Sequence, residues 1–243
     1  MASFLAILVT FLMTISTVFA VTAVDSAQTI VSLDSYKCVK NFGYGRVIIR
    51  GYFEAYCGAP GGAIDNTFVP SYTNAVNAGF TYIDVYMFPC TGTGPNMYPS
   101  DPKRSCCGTP PTQQCLNIKF TCKSPQNQVN ELVRLINNTK INGNENIIVR
   151  TVWLDVESGY SPGSWPNPDT NRQILQQFRD AWKSTKWNWG IYTNKNEWGK
   201  ITGDPNWVLD SSLPLWWAYY DGIIDLTKNF VPFGGWNKPT GKQ

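Results

Sequence analysis

Short apolar or β-branched runs alternate along this chain with stretches that repeat apolar residues every three or four positions. The runs fall at Thr22–Val24, Arg46–Arg50, Tyr82–Phe88, Ile147–Leu154, Trp189–Tyr192 and Leu215–Tyr220. Their brevity and β-branched or aromatic content predict strands. Between them, Ser124-Pro125 opens a helix with Val129, Leu132, Val133 and Ile136 on one face, because proline suits the first helical turn. A second helix is predicted from about Thr170 to Ser184, with Ile174, Phe178 and Trp182 at four-residue spacing, and a third near Val69 to Ala78, stopped by Gly79. Strand, helix, strand in alternation favours parallel pairing, hence an α/β class and an irregular, TIM-like (β/α) barrel rather than a sandwich.

No Pro/Ser tract, charge block or repeat separates Asp25 from Gln243, so one barrel domain over residues 21–243 is the economical division. Residues 1–20 form an almost uncharged apolar run closing on Val18-Phe19-Ala20. They read as a signal peptide and are set apart from the fold. A secreted protein, with no membrane span after cleavage, is the expectation. The pattern breaks between Pro89 and Ser124, where five of the seven cysteines gather with Gly and Pro. So long an insertion at the end of a barrel strand reads as a disulfide-braced loop, either walling a cleft or merely decorating the surface. Cysteines behind a signal sequence point to disulfides in an oxidising compartment, and the odd count leaves one without a partner.

Composition then removes whole classes of chemistry. The chain has no histidine, which excludes Ser-His-Asp and Cys-His nucleophile pairs, HExxH helices and His-ligated zinc. No phosphate-cradling glycine loop occurs, and a net charge of +3 without a clustered basic stripe does not suit nucleic acid. No cofactor and no metal are expected, and nothing in the pattern speaks to oligomeric state. Carboxylates remain the main candidates.

The segment from Ile147 to Glu157, IIVRTVWLDVE, is an apolar strand running into two acids, and period-two geometry puts Trp153, Asp155 and Glu157 on one face. Two inward carboxylates repel, so one is held protonated near neutrality, as glycosidic bond cleavage requires of its general acid. Glu157, nearer the mouth, takes that role. Asp155 either pairs with it across a water or orients a substrate acetamido group that itself attacks the anomeric carbon. The plain alternative is a solvated D-x-E turn. Trp153, Trp216, Trp217, Tyr86, Tyr192, Tyr219 and Tyr220 on neighbouring strands favour a sugar site, since flat rings with polar edges suit pyranoses, although each singly fits core packing. Asp221 and Asp225 read as turn formers, and Asn137-Asn138-Thr139 as a glycosylation sequon or an ordinary helix end.

The ordered set Val24-Asp25-Ser26, TYIDVYMFPC (Thr81 to Cys90), VWLDVE (Val152 to Glu157), WGIYTN (Trp189 to Asn194), PLWWAYYD (Pro214 to Asp221) and FGGW (Phe233 to Trp236) resembles the family 25 glycoside hydrolases, in particular their invertebrate-type lysozymes. That resemblance covers nearly all of residues 21–243. It implies a lysozyme acting on bacterial peptidoglycan at the β-1,4 bond between N-acetylmuramic acid and N-acetylglucosamine, in digestion or antibacterial defence. It also implies Glu157 as acid, Asp155 assisting and Asp25 as a third carboxylate, with Tyr192, Trp216 and Tyr220 as substrate contacts; Asp84, which shares a strand face with Tyr86 and Phe88, and Tyr86 itself are further candidate contacts from the strand pattern. Family members continue past the Lys-Gln of this chain into a last strand carrying another Asp, so an open sheet edge and a lost cysteine partner are expected here. Three rivals stand beside it. One is a wall-binding protein without turnover. The second is a family 18 chitinase, whose D-x-D-x-E run would need an acid at Trp153. The third is a disulfide-braced structural protein.

Overall fold

The computed structural model describes residues 21–27, 29–54, 61–95, 119–139, 149–158 and 165–243. Residues 1–20 and four of the cysteines, Cys57, Cys106, Cys107 and Cys115, lie outside them. The principal strands are β1 (Ala23–Ser26), β2 (Arg46–Phe53), β4 (Ile83–Met87), β7 (Val149–Asp155), β8 (Trp189–Thr193), β9 (Leu215–Trp217) and β10 (Gly241–Lys242), hydrogen-bonded in that order and all parallel. A short strand β3 (Ala63–Ile64) runs antiparallel to β2. Strands β5 (Thr93–Pro95) and β6 (Lys119–Thr121) form a separate antiparallel pair at the two ends of the insertion.

Helices α1 (Leu33–Asn41), α2 (Phe68–Asn77), α3 (Pro125–Asn138), α4 (Pro168–Lys183) and α5 (Lys195–Thr202) fall between successive parallel strands. Their starts follow from local chemistry. Ser32, Ser124, Asn167 and Asn194 each accept a first-turn backbone N–H through the side chain, and Pro125 and Pro168 occupy first-turn positions whose N–H would be orphaned in any case. Helix α2 ends where Gly79 takes φ +85°, as its predicted stop requires. The apolar face of α4 is rotated from the predicted one: Leu175, Phe178 and Trp182 are buried, whereas Ile174 packs only partly.

Alternation along the strands divides the interior in two. Val47 and Ile49, Ile83 and Val85, Val152, Leu154 and Val156, Ile191, and Leu215 and Trp217 point outward into a large core shared with the helices. Ile48, Trp153, Tyr192, Trp216 and Ala218 form a second cluster on the other face, with Tyr86 packed against it. The sheet is curled, as a contact between its terminal strands shows: Gln243, the residue after β10, donates from Nε2 to Asp25 Oδ2 of β1 at 3.1 Å. Among the described residues no ladder joins β10 to β1. The C-terminal segment does supply a strand, the two residues of β10 beside β9, and one side chain bridges the remaining gap.

The insertion is stapled at its base. Cys90 and Cys122 form a disulfide, and Gln128 of α3, fully buried, accepts from Cys90 N (3.0 Å) and donates to Cys90 O (2.8 Å) and Lys123 O (2.7 Å). Cys38 is exposed and unbridged. Among the described residues no helix is long and apolar enough to cross a membrane.

Candidate active site

The second cluster lies on the face of the sheet turned away from the helix-backed core, and the candidate polar groups are placed on or near that face. The strand β7 carries Trp153 and then Asp155 on this face, with Asp155 level with Tyr192 of β8 in the ladder. Glu157 lies just past the strand end. The alternation expected from the sequence is therefore present, with Val152, Leu154 and Val156 facing the helices.

Five contacts hold the chain at Glu157 and at the residues on either side of it. Val156 N donates to Tyr192 O (2.8 Å), and Thr193 Oγ1 donates to Val156 O (2.6 Å). Ser158, on the other side, donates from N to Glu197 Oε2 at 2.7 Å and also from Oγ. Glu157 O itself accepts from Trp165 Nε1 at 2.9 Å. Trp165 has φ +63°, a left-handed conformation that costs a side-chain-bearing residue on the order of 1–2 kcal/mol. That cost is offset by its indole bond and by its N–H to Thr91 Oγ1 (3.1 Å), so the strain is spent on fixing the turn around Glu157.

The carboxyl groups are unequal. Asp155 is 6% exposed, and its Oδ1 has no hydrogen-bond partner among the described residues. Burial, reinforced by the neighbouring charge of Glu157, pushes its carboxyl well above the usual range, against the pull of Arg50. Glu157 is half-buried and is raised as well, first by burial and then by the charge of Glu197. Glu197 goes the other way. Burial would raise it, but Lys200 and the two Ser158 donors outweigh that and hold it below the ordinary glutamate range. Asp25, on β1, is more open, and the protein around it still raises its carboxyl.

Asp84 shares the inward face of β4 with Tyr86. It is 0% exposed, accepts from Trp153 Nε1 at 3.0 Å and faces Arg46 at 3.4 Å. In this position it anchors the indole of Trp153. Tyr192 stacks edge-on against Trp216 with ring centroids 4.6 Å apart, and Trp216 meets Trp153 in the same way at 5.9 Å. The predicted strand Leu215–Tyr220 ends at Trp217, so Tyr220 stands on the following loop and is 75% exposed. Its hydroxyl nevertheless reaches that of Tyr192 (3.1 Å), and both donate to Gln243 Oε1, at 2.9 Å from Tyr220 and 2.6 Å from Tyr192.

Several residues at the site carry no sequence signal of their own. Arg50, inward on β2, donates from Nε to Asp65 Oδ2 at 2.7 Å while its charge acts on Asp155 and Tyr86. Asp65 is fixed in turn by Thr67, and buried Glu54 adds another negative charge toward Asp155. Glu197 and Gln243 complete the set. Among the described residues no group of three or more Cys, Asp or Glu side chains is arranged to hold a metal ion. The arrangement brings together two carboxyl groups raised by burial, one half-buried and one deeply buried, and an aromatic wall.

Comparison with known proteins agrees with that geometry. A family model described as lysozyme-like protein 1 matches residues 16–99 and 115–243. The probable GH family 25 lysozyme 2 of Dictyostelium discoideum is 30% identical over 242 residues, covering 99% of this chain and 91% of that protein. The chain belongs to the family 25 lysozymes. Lysozyme-like protein 5 of Caenorhabditis elegans, another relative, is 32% identical over 214 residues, 88% of this chain and 79% of its own. Among solved structures, a muramidase from Trichobolus zukalii superposes with a TM-score of 0.58 at 20% identity, over 92% of this chain and 86% of its own. The shared fold of this lysozyme family member is thus the TIM-like barrel, here a curled parallel sheet whose ends meet through Gln243.

Proposed function

We propose that this lysozyme family member is a secreted N-acetylmuramidase that hydrolyses the β-1,4 bond of bacterial peptidoglycan, with residues 1–20 as its signal peptide and 21–243 as the catalytic domain. The observation that carries the reading is the buried Oδ1 of Asp155, without a hydrogen-bond partner among the described residues, next to a half-buried Glu157 whose carboxyl is raised. A buried acceptor without a donor costs about 1–3 kcal/mol, and an acetamido N–H is the kind of group that would relieve it. Glu157, whose carboxyl is raised by burial and by the charge of Glu197, gives its proton to the leaving glycosidic oxygen. The acetamido carbonyl oxygen, oriented through its N–H by Asp155, attacks the anomeric carbon. Water then opens that intermediate, with Glu157 taking the proton back. Asp25 faces the developing positive charge, while Tyr86, Tyr192, Trp216 and Tyr220 offer ring faces and hydroxyls to the sugars.

A second reading, wall binding without turnover, is favoured by one observation. Among the described residues, β10 and β1 are joined by the Gln243 side-chain amide and not by a ladder. Turbidity clearing of a Gram-positive wall suspension separates the two. The parent protein is expected to clear the suspension, and Glu157→Gln to bind the walls with at least 100-fold less clearing, the usual range for a lost general acid. Binding by a folded parent with no clearing would put the second reading first.

A further inference from the structure

Glu157 is held from both sides, and the two sides differ in kind. Upstream, Val156 is tied to β8 by neutral hydrogen bonds from backbone and threonine hydroxyl. Downstream, Ser158 is tied to an ionised side chain, Glu197, in the first turn of α5. Asn194 caps that turn by accepting from the N–H groups of Asn196 and Glu197, which fixes where Glu197 begins. Lys200, one turn on, grips the other oxygen, Oε1, at 2.8 Å. Glu197 is thus a clamped carboxylate with each oxygen engaged, and its negative charge cannot swing away from Glu157.

We propose that Glu197, backed by Lys200, is a positioning residue for the acid Glu157. It fixes the residue that follows Glu157 in the chain, and its permanent charge sets the pH range over which Glu157 keeps its proton. This rests on the reading of Glu157 as general acid. The charged and titratable groups facing Glu157 among the described residues are Asp155 from β7, Tyr192 from β8 and Glu197 from α5, with Lys200 behind. Of these, Glu197 and Lys200 lie outside the sugar-facing wall, so their charges are altered without touching the groups proposed to meet substrate. The opposed displacements of Glu197 downward and Glu157 upward are those of a pair in which one member stays ionised while the other holds a proton.

The test changes the charge in both directions. Glu197→Gln keeps an oxygen to accept the Ser158 N–H but loses the charge, so Glu157 releases its proton more readily. The alkaline limb of the kcat/KM profile should move down by roughly 0.5–1 pH unit, as expected for one partly screened charge nearby. Lys200→Met, on the solvent face of α5, removes the opposing positive charge and should move the same limb upward. Titration of Glu157 followed by carboxyl carbon NMR in the same proteins should show the same two displacements whether or not the parent turns over, which separates failure of this proposal from failure of the muramidase reading. Activity that falls in Glu197→Gln with the limb and the Glu157 titration unmoved, or two variants that shift the same way, would overturn it.

Discussion

Substitution of Gly190 by alanine tests whether the sheet face that carries Trp153 is as tightly built as described. Gly190 faces inward on β8, paired in register with Trp153 of β7. A Cβ there would stand 2.6 Å from Pro214 O and 2.6 Å from Trp153 Cζ3, well inside ordinary carbon contact distance. Neither neighbour yields freely. Pro214 O accepts the ladder bond from Ile191 N at 3.0 Å, and the indole of Trp153 is held by its bond to the fully buried Asp84. Overpacking costs about 1–3 kcal/mol, and orphaning a buried acceptor adds about 1–3 kcal/mol if the indole is displaced. Gly190→Ala should therefore lose about 2–6 kcal/mol of unfolding free energy in urea denaturation. A double-mutant cycle identifies the cause: Trp153→Phe gives up the far ring atoms that meet the new methyl group, so Gly190→Ala should cost less in that background, with a coupling of at least 1 kcal/mol. A loss under 0.5 kcal/mol, or additive effects, would refute the reasoning.

Two more outcomes follow from the same structure. Replacing Cys90 and Cys122 by alanine opens a bridge of sequence separation 32 and should lower stability by about 3–4 kcal/mol on chain-entropy grounds; a loss below 1 kcal/mol in denaturation would contradict a native staple. The chain should also be more stable at mildly acidic than at neutral pH. Asp25, Asp84, Asp155 and Glu157 have folded pKa values above their unfolded ones, so the folded state binds more protons, and stability rises as pH falls through the folded values toward about 4. Asp210, held at about 2 by Lys183 and Ser212, acts oppositely, its contribution being lost only as pH drops from about 4 toward 2. Urea midpoints should be higher at about pH 4.5 than at about pH 7.5, and the reverse order would contradict these assignments.

The parallel barrel was legible because its strands are short apolar runs between amphipathic helices, a pattern that depends on local periodicity alone. The shared face of Trp153, Asp155 and Glu157 was legible for the same reason, since the period of a strand is two whatever surrounds it. What escaped the sequence depends on tertiary partners. Arg50 looks like any polar residue of a strand until Asp65, fifteen residues on, accepts from its guanidinium. Glu197 sits in an unremarked NKNE segment, although Asn194 three residues before it is a helix-start signal that would have located α5. Period two gives Asp84 its strand face, whereas its bond to the Trp153 indole depends on the pairing of β4 with β7. The closing contact of Gln243 with Asp25 joins residues 218 positions apart and left no local trace.

The most direct test of the account is the identity of the sugar at newly formed chain ends. Purified peptidoglycan digested by the protein, reduced with borohydride and hydrolysed, should yield N-acetylmuramic acid as its alcohol, and the Glu157→Gln protein should yield none above background. Reduced glucosamine in its place, or no new ends from a folded parent protein, would contradict the central claim.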